Sequence, residues 1–190
     1  MNKTLLTFIL AGTLSVSNVV AEQSSKQGGE LKVLITYYSR TGNTERVVND
    51  VAKLLNADTE KLVDKKSRKG ILGFIFGGRD AVSKNKTVLA PVTKDAGNYD
   101  IIILGTPIWA GNMPPALRTY VESTKGKFKN VAYIITSGSS TPEKIVADLD
   151  TIAGKKAVEF LWFDHATLMN KEQYNKKIIA FTEQLKKIGK

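Results

Sequence analysis

The segment Thr36-Tyr37-Tyr38-Ser39-Arg40-Thr41-Gly42-Asn43-Thr44 follows the apolar run Leu31 to Ile35. A β-branched run that ends in hydroxyls and one glycine, just before a helical pattern, gathers unpaired backbone N–H groups and side-chain hydroxyls about one point. That point is the positive end of a helix dipole, an environment suited to a phosphate dianion. The same residues also suit a hydroxyl-rich turn that only caps a helix, through Thr41 or Asn43. No Gly-Lys-Ser/Thr follows, so the loop is not of the Walker type.

Two further loops carry chemistry. Gly105-Thr106-Pro107-Ile108-Trp109-Ala110-Gly111-Asn112-Met113-Pro114 sets a tryptophan among small residues after an apolar run. Its indole can lie flat against a planar aromatic ring, with backbone N–H groups reaching polar ring atoms. Alternatively, Trp109 anchors the loop to the core. Thr136-Ser137-Gly138-Ser139-Ser140-Thr141 has small residues that permit close backbone approach. Its hydroxyls and amides suit a pyrimidine-like edge; a plain strand-to-helix turn capped by Thr141 is the other reading. His165, the only histidine, sits in Asp164-His165-Ala166, either paired with Asp164 or in a surface loop. One histidine and no cysteine cannot build a nitrogen or sulfur metal site. No Ser-His-Asp arrangement suggests itself, so no catalytic acid, base or nucleophile is assigned.

These loops need strands and helices to hold them. From Leu31 short apolar runs alternate with longer amphipathic ones, the pattern of βαβ units around a parallel sheet. Strands are expected at Leu31–Tyr38, Thr59–Val63, Ile101–Leu104, Val131–Thr136 and Ala157–Phe163. The all-apolar third one belongs at a sheet centre covered on both faces. Helices are expected from about Asn43 to Asn56, over Ala116–Ser123 behind Pro114-Pro115, and from Thr141, a candidate N-cap, to near Gly154. A closing helix runs over Glu172–Ile188 with Ile178, Ile179, Phe181, Leu185 and Ile188 inward. Ligands of such sheets sit beyond the carboxyl ends of the strands, where strand order reverses. The loops after the first, third and fourth strands are those described above. Lys65 to Tyr99 is longer than one crossover helix requires, and predicts a short amphipathic helix or lid near the ligand edge. Its basic run Lys65-Lys66-Ser67-Arg68-Lys69 beside Phe74 and Phe76 suits a membrane surface if those aromatics are exposed, and plain packing if they are buried.

Lys3, the apolar stretch Leu5 to Leu14 and the small residues Val19-Val20-Ala21 form the pattern of a secretory signal peptide cut before Glu22. That reading gives a signal peptide over 1–21, a flexible leader over 22–30 and one domain over 31–190, placed in the periplasm or otherwise exported. An uncleaved anchor is the alternative. Without cysteine there is no lipidated N-terminal thiol and no disulfide. Of 28 Lys and Arg only Lys3 lies in that segment, and none of the 18 Asp and Glu, so the net charge of +10 becomes +9. Such a surplus attracts acidic protein surfaces or anionic lipid. The cations are scattered and no nucleic-acid motif accompanies them, so nucleic acid is not an expected partner.

Tyr-Tyr-Ser-Arg-Thr-Gly-Asn-Thr and Gly-Thr-Pro-Ile-Trp-Ala-Gly together resemble the ligand loops of the flavodoxin family, and the likeness extends over essentially all of Leu31 to Ile188. The 66–80 segment, with its Gly-Arg-Asp-Ala, is similar to that of small bacterial and archaeal members. The resemblance implies a flavodoxin-like α/β three-layer sandwich, with a five-stranded parallel sheet in order 2-1-3-4-5 and an insertion between strands 2 and 3. It implies FMN as cofactor. Ser39, Arg40, Thr41, Gly42, Asn43 and Thr44 would hold the phosphate; Thr106, Pro107, Ile108, Trp109, Ala110 and Gly111 would line the isoalloxazine, with Trp109 stacking; Ser137, Gly138 and Ser139 would border the pyrimidine side. The family members it resembles are mostly acidic and cytoplasmic, whereas this chain is basic and carries an export pattern. Its charge predicts a less negative two-electron potential than theirs. Three functions suit these features: an exported FMN-binding electron carrier serving acidic redox partners, an FMN-dependent NAD(P)H or quinone oxidoreductase, and a flavin-free module for another phosphorylated or anionic ligand. Rapid NAD(P)H oxidation by FMN-loaded protein selects the second, and indifference to FMN the third.

Overall fold

Along each strand, alternate side chains turn to opposite faces, and here both faces meet apolar helices. In a computed structural model the described residues are 31–188 apart from Lys69, with the side chains of Ile71 and Phe74 also outside the description. The signal peptide and leader expected over 1–30 lie outside the described residues. The strands are β1 (Val33–Tyr37), β2 (Asp58–Lys61), β3 (Ile101–Pro107), β4 (Val131–Thr136) and β5 (Glu159–Phe163). They form one sheet in the order β2-β1-β3-β4-β5, every pair parallel. The helices are α1 (Asn43–Leu55), α2 (Gly70–Val82), α3 (Pro115–Ser123), α4 (Glu143–Ala153), α5 (His165–Met169) and α6 (Lys171–Ile188). The expected α/β three-layer fold and strand order are therefore observed.

One core layer joins Ile35, Ile103 and Ile134 to Val47, Val48 and Val51 of α1 and to Ile178, Phe181 and Leu185 of α6. The other joins Leu34, Ile102, Leu104 and Ile135 to Leu117, Tyr120 and Val121 of α3 and to Ile145 and Leu149 of α4. Successive residues of β1 and β3 thus serve opposite layers. At Gly105 a Cβ would stand 2.6 Å from Tyr37 Cβ and 3.1 Å from Val48 Cγ2, so the glycine lets α1 sit close over the sheet.

Several local expectations are corrected. β2 is the polar edge segment Asp58–Lys61 rather than Thr59–Val63; Leu62 N–H still donates to Tyr37 O, but Val63 lies past the parallel ladder, where Ala90 N–H donates to Val63 O and Asp64 bridges Leu89 in antiparallel fashion. β5 starts at Glu159 rather than Ala157. Thr141 is not the N-cap of α4; Pro142 is, with no side-chain cap. Ile179 and Ile188 do not face inward: Tyr174, Ile178, Phe181 and Leu185 complete the buried stripe of α6, which leaves Ile179 half exposed and Ile188 exposed at the last position of the helix. The insertion does contain a helix, α2, but Phe76 is about half exposed at 49% instead of packed under it.

Candidate functional site

The turn between β1 and α1 is shaped by Gly42, which is the N-cap at φ +92°, a left-handed conformation that glycine adopts without strain. Neither Thr41 nor Asn43 caps the helix. Ser39 Oγ takes that role by accepting the N–H groups of Gly42 (3.2 Å) and Glu45 (3.3 Å). With both acceptor positions filled, what the hydroxyl has left is its proton, a donor for an anion. The N–H groups of Thr41, Asn43 and Thr44 have no acceptor among the described residues, as expected at a helix start. The one nearby carboxylate, Glu45, is engaged by Lys61 at 2.7 and 2.8 Å and by Tyr37 Oη at 3.0 Å. Lys61 holds its pKa below the usual range, while burial and that carboxylate push Tyr37 up to about 12.

Side chains of this turn also brace its neighbours. Thr44 Oγ1 lies 2.9 Å from Thr136 Oγ1 in a buried pair, fixing the start of α1 to the end of β4. Arg40 donates from Nε to Arg68 O (3.0 Å) and from Nη2 to Gly70 O (3.1 Å), so its guanidinium ties the turn to the entry of α2.

After β3 the chain makes a two-residue reversal. Trp109 N–H donates to Asn112 O (2.8 Å) and Asn112 N–H to Trp109 O (2.9 Å), with Ala110 at φ +46° and Gly111 at φ +70°. Alanine in that left-handed region is a strained choice. It is held by Asn112 Nδ2 on Ala110 O and by Lys144 Nζ, from α4, on Gly111 O and Asn112 Oδ1. Trp109 is half-buried and meets Tyr38 edge-on, ring centres 5.4 Å apart at 81°. On another side α2 comes so close that a Cβ on Gly77 would lie 2.8 Å from Trp109 Cζ3. Ile108 N–H donates to Thr136 O, which joins this loop to the third one.

In the third loop Ser137 Oγ donates to Ser140 O (2.6 Å) and accepts Trp162 Nε1–H (3.2 Å), so its hydroxyl holds the turn together. Gly138 is exposed, with no atom within 4 Å of where a Cβ would be, and its carbonyl accepts the N–H of His165. Asp164 does not pair with the imidazole; it caps α5 through Thr167.

The three loops surround one cavity of about 200 Å³, lined by Arg40, Thr41, Asn43, Thr44, Pro107, Ile108, Trp109, Thr136, Ser137, Gly138 and His165. A wider one of about 580 Å³ shares Ile108, Trp109 and Gly138 with it and adds Ala110, Ile75, Gly78, Arg79 and Val82. That volume is within the roughly 300–1,000 Å³ usual for small-molecule sites. No Asp or Glu lines either cavity. Ser39 lines a neighbouring hollow, while Gly42, Thr106, Gly111 and Ser139 line neither of the two. Sequence reasoning missed His165, Thr136 and the α2 residues Ile75, Arg79 and Val82. His165 follows β5 at the same carboxyl rim as the other loops, which was the available signal; the long 65–99 segment predicted a helix or lid near the ligand edge, where α2 is found, but not its contact with Trp109. Among the described residues no group of His, Asp and Glu is arranged to hold a metal.

The family model described as Flavodoxin matches residues 32–185. A flavoprotein of Lactobacillus acidophilus NCFM, solved in complex with FMN, is 20% identical, covering 75% of this chain and 99% of its own at a TM-score of 0.61. A protein of Bacteroides uniformis ATCC 8492 assigned as a flavoprotein is 25% identical, covering 78% and 100%, with a TM-score of 0.62. Oxidised flavodoxin 2 of Bacillus cereus is 20% identical over 80% and 99%, with a TM-score of 0.50.

Proposed function

The chain belongs to the flavodoxin family, and on that footing we propose that it holds FMN across the rim formed by the loops after β1, β3 and β4 and carries electrons between protein partners. The observation that carries this reading is that Thr41, Trp109 and Gly138, from three different loops, line one carboxylate-free cavity. At one end stand unsatisfied amides at the head of α1, with the Ser39 hydroxyl in the adjoining hollow; at the other stands an indole braced on two sides. The donor set fits a phosphate and the loop after β3 fits a planar ring system.

In this reading the amides of Thr41, Asn43 and Thr44 and the hydroxyls of Ser39 and Thr41 bind the phosphate, with Gly42 setting the turn. Arg40 adds positive charge while its hydrogen bonds keep α2 against the turn. Trp109 stacks on the isoalloxazine; Pro107, Ile108 and Ala110 line it, and Thr106 and Gly111 shape the loop. Ser137, Gly138 and Ser139 border the pyrimidine side. When bound, FMN supplies the transfer of one or two electrons. The chain binds it, orients it and sets its surroundings, and the chain as a whole carries a formal net charge of +10. The excess charge steers acidic redox partners toward the protein. The export pattern of residues 1–21 supports work outside the cytoplasm, with FMN acquired after translocation.

A second reading, an FMN-dependent NAD(P)H or quinone oxidoreductase, is favoured by the extra volume that α2 encloses beside Trp109. Oxidation of NAD(P)H by FMN-loaded protein without an added partner selects it. The flavin reading itself is tested by Thr41→Val. Loss of one hydrogen bond to a charged group, worth about 1.5–3 kcal/mol, should weaken FMN by about 10- to 100-fold and leave riboflavin unchanged. Equal losses for the two ligands would show that the turn does not hold the phosphate.

A further inference from the structure

The helix α2 is packed the wrong way round for an ordinary surface helix. Its buried side is made of its smallest residues: Gly73 and Gly77 are buried and Ala81 is 1% exposed. A Cβ on Gly73 would stand 2.3 Å from the Arg68 carbonyl carbon, and Gly77 lies against the indole of Trp109, so nothing larger fits there. Its large apolar residues point out instead: Leu72 is 68% exposed, Ile75 55%, Phe76 49% and Val82 56%. These recur at three- and four-residue spacing with Arg79 among them, so they form one stripe along the outer face. An apolar stripe of this kind marks a surface that meets something other than water.

The charges around it say what that is. Lys65 and Lys66 precede the helix, Arg79 sits in the stripe, and Lys84 and Lys86 follow; all five are exposed. The carboxylates on this segment offset them only in part: Asp64 and Asp80 are both turned to the buried Arg68, and a further pair, Lys66 with Asp80 at 3.0 Å, is made by an exposed ammonium with screened attraction. The pairs of Lys84 with Asp148 and Lys86 with Glu122 are between partly exposed groups, with screened, weak attraction. A second copy of the chain would bring two such cationic rims together, which is repulsive. An acidic protein surface would match the cations but not four outward aliphatic and aromatic side chains.

We propose that the outer face of α2 docks on an anionic lipid bilayer, with Leu72, Ile75, Phe76 and Val82 entering the acyl boundary and the flanking cations meeting headgroup phosphates. The helix has 13 residues, and no helix among those described is long and apolar enough to cross a membrane, so the contact is interfacial. Ile75, Arg79 and Val82 also wall the wider cavity, so docking sets that cavity at the lipid surface. The proposal does not depend on which ligand the cavity takes.

The test is co-sedimentation of the full chain with vesicles of equimolar phosphatidylcholine and phosphatidylglycerol, beside vesicles of phosphatidylcholine alone. Binding is expected to the mixed vesicles. It should fall at least about tenfold on pure phosphatidylcholine, and by a similar factor for Leu72→Gln/Phe76→Gln on the mixed vesicles. Both side chains are outside the core, so thermal unfolding of that variant should match the parent; Ile75→Gln gives an independent check if it does not. Absence of binding to the mixed vesicles overturns the proposal. So does binding that survives the apolar substitutions, which would reduce it to general charge attraction. Concentration-dependent dimerisation abolished by the same substitutions would assign the face to a second copy instead.

Discussion

Arg68→Ala is expected to lower the unfolding free energy by about 3–5 kcal/mol at neutral pH, the cost of breaking a buried ion pair from one side. The Arg68 side chain is 4% exposed; its Nε donates to Asp64 Oδ2 at 3.0 Å and its Nη1 to Asp80. Asp64 is equally buried and Asp80 nearly so, at 15%. Without the guanidinium, two carboxylates remain close together in a poorly solvated place. The pH dependence follows. In the parent, Arg68 first and Lys66 second hold Asp80 well below the usual carboxylate range. A depressed acid contributes stability that is complete above its unfolded pKa near 3.9 and is lost as pH falls toward the folded value. In the variant Asp80 keeps only Lys66 and Asn85 as partners, so it is held down less and loses less stability when it is protonated. Urea unfolding at pH 7 and again below pH 4 should therefore show the gap between the two proteins narrowing in acid. A difference under about 1 kcal/mol at pH 7 would mean that the cluster does not hold the insertion.

Gly77→Leu is expected to be the most damaging change on α2 for ligand binding, although it lies far from the site in sequence. A Cβ there meets Trp109 Cζ3 at 2.8 Å and Cε3 at 3.3 Å, and a branched side chain has nowhere to go. Either the helix lifts or the indole moves. Overpacking of this kind costs about 1–3 kcal/mol. Because Trp109 lines both cavities, the proposed flavin affinity should fall by about tenfold or more on the same scale. Gly78→Ala is the matched control: its nearest contact would be Ala110 Cβ at 3.9 Å, and alanine favours helix over glycine. Calorimetric melting and flavin titration of the two variants should separate them clearly. Indistinguishable behaviour would show that the close packing of α2 on Trp109 has no bearing on the site.

Much of the fold was legible because burial on both faces leaves an unmistakable trace. Ile101 to Leu104 is apolar at every position since both sheet faces are covered, and the spacing of Val47, Val48 and Val51 marks the inner side of α1. The three strand-end loops were legible for the related reason that ligand chemistry needs small and hydroxylated residues where a parallel sheet ends. Roles within them were less so. Ser39, not Thr41 or Asn43, accepts the N–H groups of Gly42 and Glu45 at the head of α1, a matter of turn geometry at Gly42 that residue type does not reveal. Arg40 spends two of its donors on carbonyls near α2, a contact across 28 and 30 positions. The orientation of α2 was illegible for a physical reason: an apolar run with glycines on one side has two possible inner faces. Only the tight seat against Arg68 and Trp109 chooses the glycine side. Ile179 failed likewise, since a stripe already filled by Tyr174, Ile178, Phe181 and Leu185 has no room for a neighbour on the same turn.

In the proposed function the turn between β1 and α1 and the loop carrying Trp109 hold one phosphorylated, planar ligand. Titration of flavin-free protein with FMN and with riboflavin, followed by flavin and tryptophan emission, tests it most directly. Saturable one-to-one binding of FMN with quenching of Trp109 emission is expected, and binding of riboflavin weaker by about 100-fold or more, for a phosphate that makes two or more charge-assisted hydrogen bonds. Equal affinity for the two flavins, or no binding of either, would contradict it.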